Sequence, residues 1–261
     1  MDKQLIATRF AKARTTYSRA AQAQRKVAER MMELLADALP STRAVPLHAV
    51  EIGCGTGIYT RLLAEKLHPA HLLLNDLCPE MEPYVSEVLH PFRTTTKAQF
   101  VAGDAEYLTL PAASSLITSC STLQWFNDPA AFFRRCHETL AEEGLLAFST
   151  FGSDNLCEIR TLTGHGLTYP PMEVLKRMLI PEFDILHAEE ERVTLWFDSP
   201  EAVLRHLKET GVTGTEKRIW TRSRLYDFCT AYRTRYGEAG KGVPLTYHPY
   251  YLVAKKRIIH A

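Results

Sequence analysis

The sequence predicts an α/β fold built on a doubly wound, mostly parallel sheet. Short apolar runs alternate with helical patterns between residues 48 and 151. Such alternation lays parallel strands side by side with helices on both faces. The first run passes into a glycine-rich turn, "EIGCGTG", and then into a helical pattern. Acidic residues Glu51, Asp76 and Asp104 stand at the ends of three successive runs, on the edge where doubly wound sheets bind ligands.

The elements follow in order. Residues 18–39 carry Val27, Met31, Leu34, Leu35 and Ala38 at helical spacing, with Arg25, Lys26, Glu29 and Arg30 between them, so one amphipathic helix is expected there. Pro40 and "STRAVP" end it. "HAVEI" (48–52) is a strand and 59–67 a helix; "HLLLNDL" (71–77) is a strand and 79–89 a helix. "QFVAGD" (99–104) is the end of a strand, "SLITSCS" (115–121) a fourth strand, 129–141 a helix, and "LLAFSTF" (145–151) a fifth strand. Beyond 152 the pattern loosens. "PPMEVLKRML" (170–179) reads as a helix after a proline turn, "EERVTLWFD" (190–198) as a strand, and 200–210 and 223–236 as helices. After the loop "GEAGKG", the run "PLTYHPYYLVAKK" (244–256) reads as one last strand with Pro249 in its middle; proline is tolerated at edges and bulges.

Composition narrows the function classes. The 261 residues allow between one and two domains at ~150 residues each. A hydrophobic fraction of 46% supplies a core, and 23% charged residues is ordinary. A net charge of +1 argues against a protein organised around nucleic acid or a membrane surface, while leaving room for a local patch. The six cysteines include no CxxC pair, which points to reduced thiols, no zinc site and a cytoplasmic setting. The first twenty residues lack the apolar core of a signal peptide, and no apolar run reaches the ~20 residues that span a bilayer.

The glycine turn excludes two ligands by its spelling. A phosphate-binding loop needs GxxxxGK[ST], and no lysine follows these glycines. A dinucleotide loop needs GxGxxG or GxGxxA, but Ile58 or Thr60 falls at the third position. What stands is acid-x-G-x-G-x-G: Glu51, Gly53, Gly55, Gly57. This resembles the first motif of class I S-adenosylmethionine-dependent methyltransferases. Glycines there let the chain approach a ligand closely and adopt positive φ. Asp76 would accept hydrogen bonds from ribose hydroxyls, as in dinucleotide enzymes; its plainer role is a helix cap. The same resemblance places Asp104 on the adenine amino group and adds Leu77, Ala105 and Ser119 to the cofactor wall.

Further text is more specific. "RFAKARTTYSRAAQAQRKVA", "STLQWFNDPAAFFRRCHETLAEEGLLAFSTFG", "VTLWFDSPEAVLRHLKETGVTG", "TRSRLYDF" and "PLTYHPYYLVAKK" are similar, in order and over nearly the whole chain, to the malonyl-acyl-carrier-protein O-methyltransferases of biotin synthesis. The resemblance implies a single methyltransferase domain with a seven-stranded sheet. In it, 1–40 form a helical lid, 41–151 the cofactor-binding core, and 152–261 substrate-side insertions and the last strands. It implies methyl transfer from S-adenosylmethionine to the free malonyl carboxylate, with S-adenosylhomocysteine as by-product and no metal. The implied partner is malonyl-acyl-carrier protein, with malonyl-coenzyme A as a further acceptor. A carboxyl beside a carbonyl has a pKa of about 3.5, so it is already ionised and needs no general base.

The resemblance makes Tyr17, Gln124, Trp125 and Arg222 the pocket residues, with an arginine as the natural clamp on a carboxylate. Each has a plainer reading: lid packing for Tyr17, core packing for Trp125, a surface position for Arg222. An acidic carrier calls for a basic surface, and Arg205, Lys208, Lys217, Arg218, Arg222 and Arg224 cluster between 205 and 224 against Glu209 and Glu216. Cys120 departs from the asparagine that the family often has in "SCSTLQW", and is expected to pack; His248 is expected to support structure. Three other readings stay open: a methyltransferase acting on another small carboxylate or a quinone, a catalytically silent partner subunit, and an NAD-linked oxidoreductase.

Overall fold

The computed structural model describes residues 1–39, 45–212 and 221–258. Strands β1 (His48–Ile52), β2 (His71–Asp76), β3 (Lys97–Ala102), β4 (Ser114–Cys120) and β5 (Leu140–Phe151) are parallel. Strand β6 (Phe183–Glu190) pairs antiparallel with β9 (Pro249–Lys256), which pairs antiparallel with β5. The seven-stranded order is β3-β2-β1-β4-β5-β9-β6. Chain order reverses between β1 and β4, which opens a crevice at the carboxyl ends of these strands.

Alternate residues of each strand feed two cores, as a period of two requires. Ala49, Leu145, Ala147, Tyr251 and Val253 pack under helices α2 (Gln22–Ala38), α3 (Ile58–Leu67) and α4 (Glu82–Leu89) through Met31, Leu35, Leu63 and Val85. Val50, Ile52, Leu146, Phe148 and Leu252 pack on the other face under α5 (Pro129–Thr139) and α7 (Met172–Leu179) through Phe132, Phe133, Leu175 and Leu179. Burial on both faces gives the near-continuous apolar runs read in the sequence.

A third core lies beyond the sheet's carboxyl edge. The two-stranded sheet of β7 (Val193–Phe197) and β8 (Val243–Tyr247) packs with α6 (Cys157–Thr163), α8 (Pro200–Glu209) and α9 (Arg222–Tyr236) around Leu195, Val203, Leu207, Phe228, Tyr232 and Leu245.

The elements differ from expectation in four places. Residues 18–39 are not one helix: α1 (Lys3–Ala20) precedes α2, and the chain breaks at Ala21 (φ −74°, ψ 53°). Tyr17 therefore lies in the last turn of a helix instead of ahead of one. The run 244–256 is two strands in different sheets. They turn at His248, whose amide donates to Asn155 Oδ1 (3.3 Å) and whose carbonyl accepts from Gly152 (2.8 Å). Pro249 opens β9, the one strand position that asks least of its missing N–H. Strand β6 and helix α6 were not anticipated. All six cysteines are free thiols.

Candidate functional site

The crevice is built from strand ends. Beyond β1 the amides of Gly53 and Cys54 both donate to the Asn75 carbonyl (2.8 and 3.0 Å), which curls the chain back over β2. The curl requires positive φ at Gly53 (+71°) and Gly55 (+52°). A Cβ on Gly53 would come within 2.1 Å of Thr122 Oγ1, so that glycine is also needed for close packing. Asp76 then locks the loop: its Oδ2 accepts from the Gly55 amide (2.8 Å) and its Oδ1 from the Cys78 amide (2.8 Å). Burial nonetheless pushes the Asp76 carboxyl above its ordinary range, against the opposing pull of these amides. Asn75 Nδ2 donates to the carbonyls of Val101 and Gly103 (3.0 Å each), tying the end of β2 to that of β3. Behind the 105–108 loop, the Arg135 guanidinium donates to the carbonyls of Ala105, Glu106 and Leu108.

Helix α1 closes the crevice from above. Asp2 caps it by accepting from the Leu5 amide (2.9 Å), and Lys3, Ile6, Phe10 and Tyr17 face down along one side. Lys3 Nζ reaches Asp104 Oδ1 (3.2 Å) and Glu106 Oε2 (2.8 Å). Burial works to raise Glu106, but the Lys3 ammonium and the Asn127 and Asp128 amides outweigh it and hold that carboxyl below its usual range. The resulting cavity takes in about 760 Å³, part of it open to solvent.

Of the residues expected on the cofactor, Gly53, Gly55, Asp76, Leu77, Asp104 and Ala105 line this cavity, as do Tyr17 and Trp125. Glu51, Gly57 and Ser119 do not. Glu51 is buried, with Thr60 beside it; burial pushes its carboxyl up to about 8, and its Oε2 has no partner. Gly57 (φ +86°) starts α3, and a Cβ there would press on Val88 at 3.0 Å. Ser119 Oγ donates to the Ile52 carbonyl (3.0 Å). These three support the wall from behind, because successive residues of a strand or turn face opposite ways. Cys120 also lines the cavity, with its thiol pushed up to about 12 by burial.

A second cavity of about 390 Å³ adjoins the first, and Phe10, Tyr17, Ser121 and Trp125 line both. Phe10 meets Trp125 edge-on (5.7 Å, 84°). Gln124 faces only the second cavity; its Nε2 donates to the Ser121 carbonyl (2.6 Å) and its Oε1 has no partner. Burial drives the Tyr17 hydroxyl well above its ordinary pKa, so it is a neutral donor. Tyr169 and Tyr247 complete the far wall with Asn155. Asn155 Nδ2 donates to Tyr169 Oη (2.8 Å), and His206 Nε2 bonds Tyr247 Oη (2.8 Å).

The arginine expected in the pocket is elsewhere. Arg222 begins α9 and is exposed, on the wall of neither cavity. The first turn of α9 stands clear of the third core, and burial starts only at Leu225. Arg205, Lys208 and Arg224 are exposed on α8 and α9, while Lys217 and Arg218 lie outside the described residues. His248 is 1% exposed at the β8–β9 corner and lines neither cavity.

Sequence reading missed Asn75, Lys3, Phe10, Gly103, Thr122, Tyr169 and Tyr247. For α1 a signal existed: an Asp2 cap followed by Ile6, Phe10, Ala13 and Tyr17 at helical spacing. Among the described residues no cluster of His, Cys, Asp or Glu is arranged to hold a metal ion, and no helix is long and apolar enough to cross a membrane. The arrangement sets a backbone-and-carboxylate cavity beside a neutral polar one, so that a group can pass between ligands held in each.

A family model described as a methyltransferase domain matches residues 50–148. The malonyl-[acyl-carrier protein] O-methyltransferase of Bacteroides helcogenes is 54% identical over 98% of this chain and 100% of its own. That of Bacteroides thetaiotaomicron is 47% identical over 98% and 99%. Among solved structures, phosphoethanolamine N-methyltransferase 2 of Haemonchus contortus in complex with S-adenosyl-L-methionine is 15% identical. It covers 88% of this chain and 53% of its own, with a TM-score of 0.54, a likeness of fold. Identity of this order along the full length, together with the strand-edge crevice, places the chain in the malonyl-[acyl-carrier protein] O-methyltransferase family.

Proposed function

We infer that the chain transfers a methyl group from S-adenosylmethionine to the free carboxylate of malonyl-acyl-carrier protein, giving S-adenosylhomocysteine and the malonyl methyl ester from which pimelate and biotin are made. The observation that carries this reading is the pair of adjoining cavities in a chain whose full-length relatives bear this one activity name. That combination favours it over a quinone or other small carboxylate and over a silent partner subunit.

The first cavity fits the cofactor. At Gly55 and Gly103 an added Cβ would meet no protein atom within 4 Å, so both glycines leave open a cradle that a side chain would fill. Asp76 retains free lone pairs for the ribose hydroxyls. Gly53 and Gly55 would take the amino acid end, and Asp104 with Ala105 the adenine edge. When bound there, the cofactor supplies a sulfonium methyl group, which a carboxylate oxygen lone pair takes as the C–S pair returns to sulfur. The chain's own part is positioning and water exclusion. Ile6 and Phe10 of α1 cover the site, and Trp125 and Tyr17 stand between the two cavities. No base is required, and among the described residues no histidine lines either cavity.

The acyl-carrier protein is acidic and delivers its substrate on a phosphopantetheine arm. Arg205, Lys208, Arg222 and Arg224, with Lys217 and Arg218, would receive it by charge steering, and malonyl-coenzyme A would bring phosphates but not the carrier's protein surface. The reaction belongs in the cytoplasm, with its carrier. Intact-mass spectrometry of malonyl-acyl-carrier protein should show the gain of one methylene only when S-adenosylmethionine is present; no gain with bound cofactor would refute the acceptor. Charge reversal at Arg205 and Lys208, or at Lys217 and Arg218, should raise KM for the carrier substrate several-fold at low salt, with kcat unchanged.

A further inference from the structure

The second cavity has an uneven distribution of unmet hydrogen bonds. Eight buried side-chain polar atoms among the described residues have no partner, and four of them belong to this cavity's wall: Gln24 Oε1, Ser121 Oγ, Gln124 Oε1 and Trp125 Nε1. Buried polar groups without partners are costly and call for explanation. A ligand that partners them explains their collection in one place. Trp125 Nε1 can only donate and Ser121 Oγ can donate, so the group beside them must accept, while the Gln24 and Gln124 carbonyl oxygens only accept and call for a donor elsewhere on the same ligand.

The same wall carries no lysine, arginine or histidine among the described residues. Behind the wall, His206 bonds Tyr247 with its pKa lowered by burial, and the Arg160 guanidinium lies over the Tyr169 ring, 6.0 Å from its centroid, without lining the cavity itself. A carboxylate entering here meets donors but no positive charge from the wall, and a buried anion without a counter-charge is strongly disfavoured. The first cavity lies directly across Tyr17, Ser121 and Trp125.

We propose that the second cavity holds the acceptor carboxylate with neutral donors, Trp125 Nε1 first among them, and that its counter-charge is the positive charge of the cofactor in the adjoining cavity. The proposal rests on the malonyl reading above and deepens it. An arginine clamp would bind the carboxylate most strongly before transfer and lose that attraction as the ester forms, which stabilises the ground state. Neutral donors lose less. Acceptor affinity then depends on the charge of the bound cofactor, and by linkage cofactor affinity depends equally on the acceptor. After transfer both charges are gone, and the two products no longer hold each other in place.

The test measures the Kd of malonyl-acyl-carrier protein, with holo-acyl-carrier protein as reference, on the full chain saturated with either of two unreactive cofactor analogues. S-adenosylhomocysteine is uncharged at sulfur; sinefungin carries a cationic amine near that position. Malonyl-acyl-carrier protein should bind about tenfold tighter to the sinefungin complex, while the holo form binds both equally. Trp125→Phe, which keeps an aromatic ring against Phe10, should cut the preference for the malonyl form by about fivefold or more. If Trp125→Phe does not fold by circular dichroism, Ser121→Ala carries the same measurement.

A malonyl preference that is equal in both complexes would overturn the proposal and place the counter-charge in the chain, with Lys217 and Arg218 the first to replace. A preference that survives the loss of the donors would overturn their assignment. No preference for the malonyl form under either analogue would refute the malonyl reading itself.

Discussion

The two cavities share four residues, Phe10, Tyr17, Ser121 and Trp125, yet they are made of different material. The first is a product of the sheet. Its walls are strand ends, main-chain amides, and the Asp76 carboxylate that grips two of those amides at 2.8 Å. The second is a product of the cap. Its walls are side chains from α1, α2, the 121–125 turn, the 155–169 segment, Val212 and β8, with Phe151, among the described residues, the single contribution of the main sheet. The first should therefore be sensitive to added Cβ atoms and lost carboxylates. The second should be sensitive to side-chain shape.

The largest effect is expected at Asp76. Asp76→Ala removes two charge-assisted hydrogen bonds to the loop, each worth ~1.5–3 kcal/mol, along with the ribose acceptor. The Kd of S-adenosylhomocysteine by calorimetry should rise at least about 100-fold; a rise below threefold would break the contrast at its strongest point. A smaller effect separates two neighbouring glycines. Gly55→Ala puts a methyl group into the open cradle at φ +52°, and should weaken the same ligand about tenfold. Gly57→Ala instead presses on Val88 at 3.0 Å. It should lower Tm by a few degrees with ligand affinity nearly unchanged. Equal ligand losses at both glycines would place Gly57 on the wall after all.

The smallest effect on the ligand concerns Glu51, behind that wall. Its folded carboxyl is raised from 4.5 to about 8. Between those values the folded state holds a proton that the unfolded state gives up, so stability falls as pH rises through this window. Glu51→Gln removes that dependence. Its Tm relative to the parent should be lowest near pH 4.5 and should improve by about 10 °C toward pH 8. A pH-independent difference in Tm would show that Glu51 is not held as a buried neutral acid.

The same division of material explains what could be read before the structure. Gly53, Gly55, Asp76 and Asp104 were legible because parallel strands end on one edge and short loops keep their residues there. The same rule could not say which way a side chain turns, so Glu51, Gly57 and Ser119 were expected on the face they support from behind. The second cavity obeys no spacing. Gln24, Trp125, Asn155, Tyr169 and Tyr247 meet only because β8 leaves the main sheet at His248. A chain with a proline in an apparent strand hides that turn. Arg222 shows the limit of a resemblance: it gives the chain order of residues but not their direction, and Arg222 is exposed, on the wall of neither cavity. The resemblance implied a helical lid over 1–40, but residue spacing alone did not show α1, because Lys3, Arg9, Lys12, Arg14 and Arg19 dilute its single apolar stripe.

The central claim is that the sheet cavity takes the cofactor and the cap cavity the acceptor. Leu167 lines only the second cavity and is partly exposed, so Leu167→Trp should fill that space without unfolding the chain. The decisive measurement is the Kd of S-adenosylhomocysteine and the rate of malonyl-acyl-carrier protein methylation on that one variant. The account predicts cofactor affinity within about twofold of the parent and kcat/KM for the acceptor reduced more than tenfold. Weakened cofactor binding with acceptor methylation intact relative to bound cofactor would contradict it.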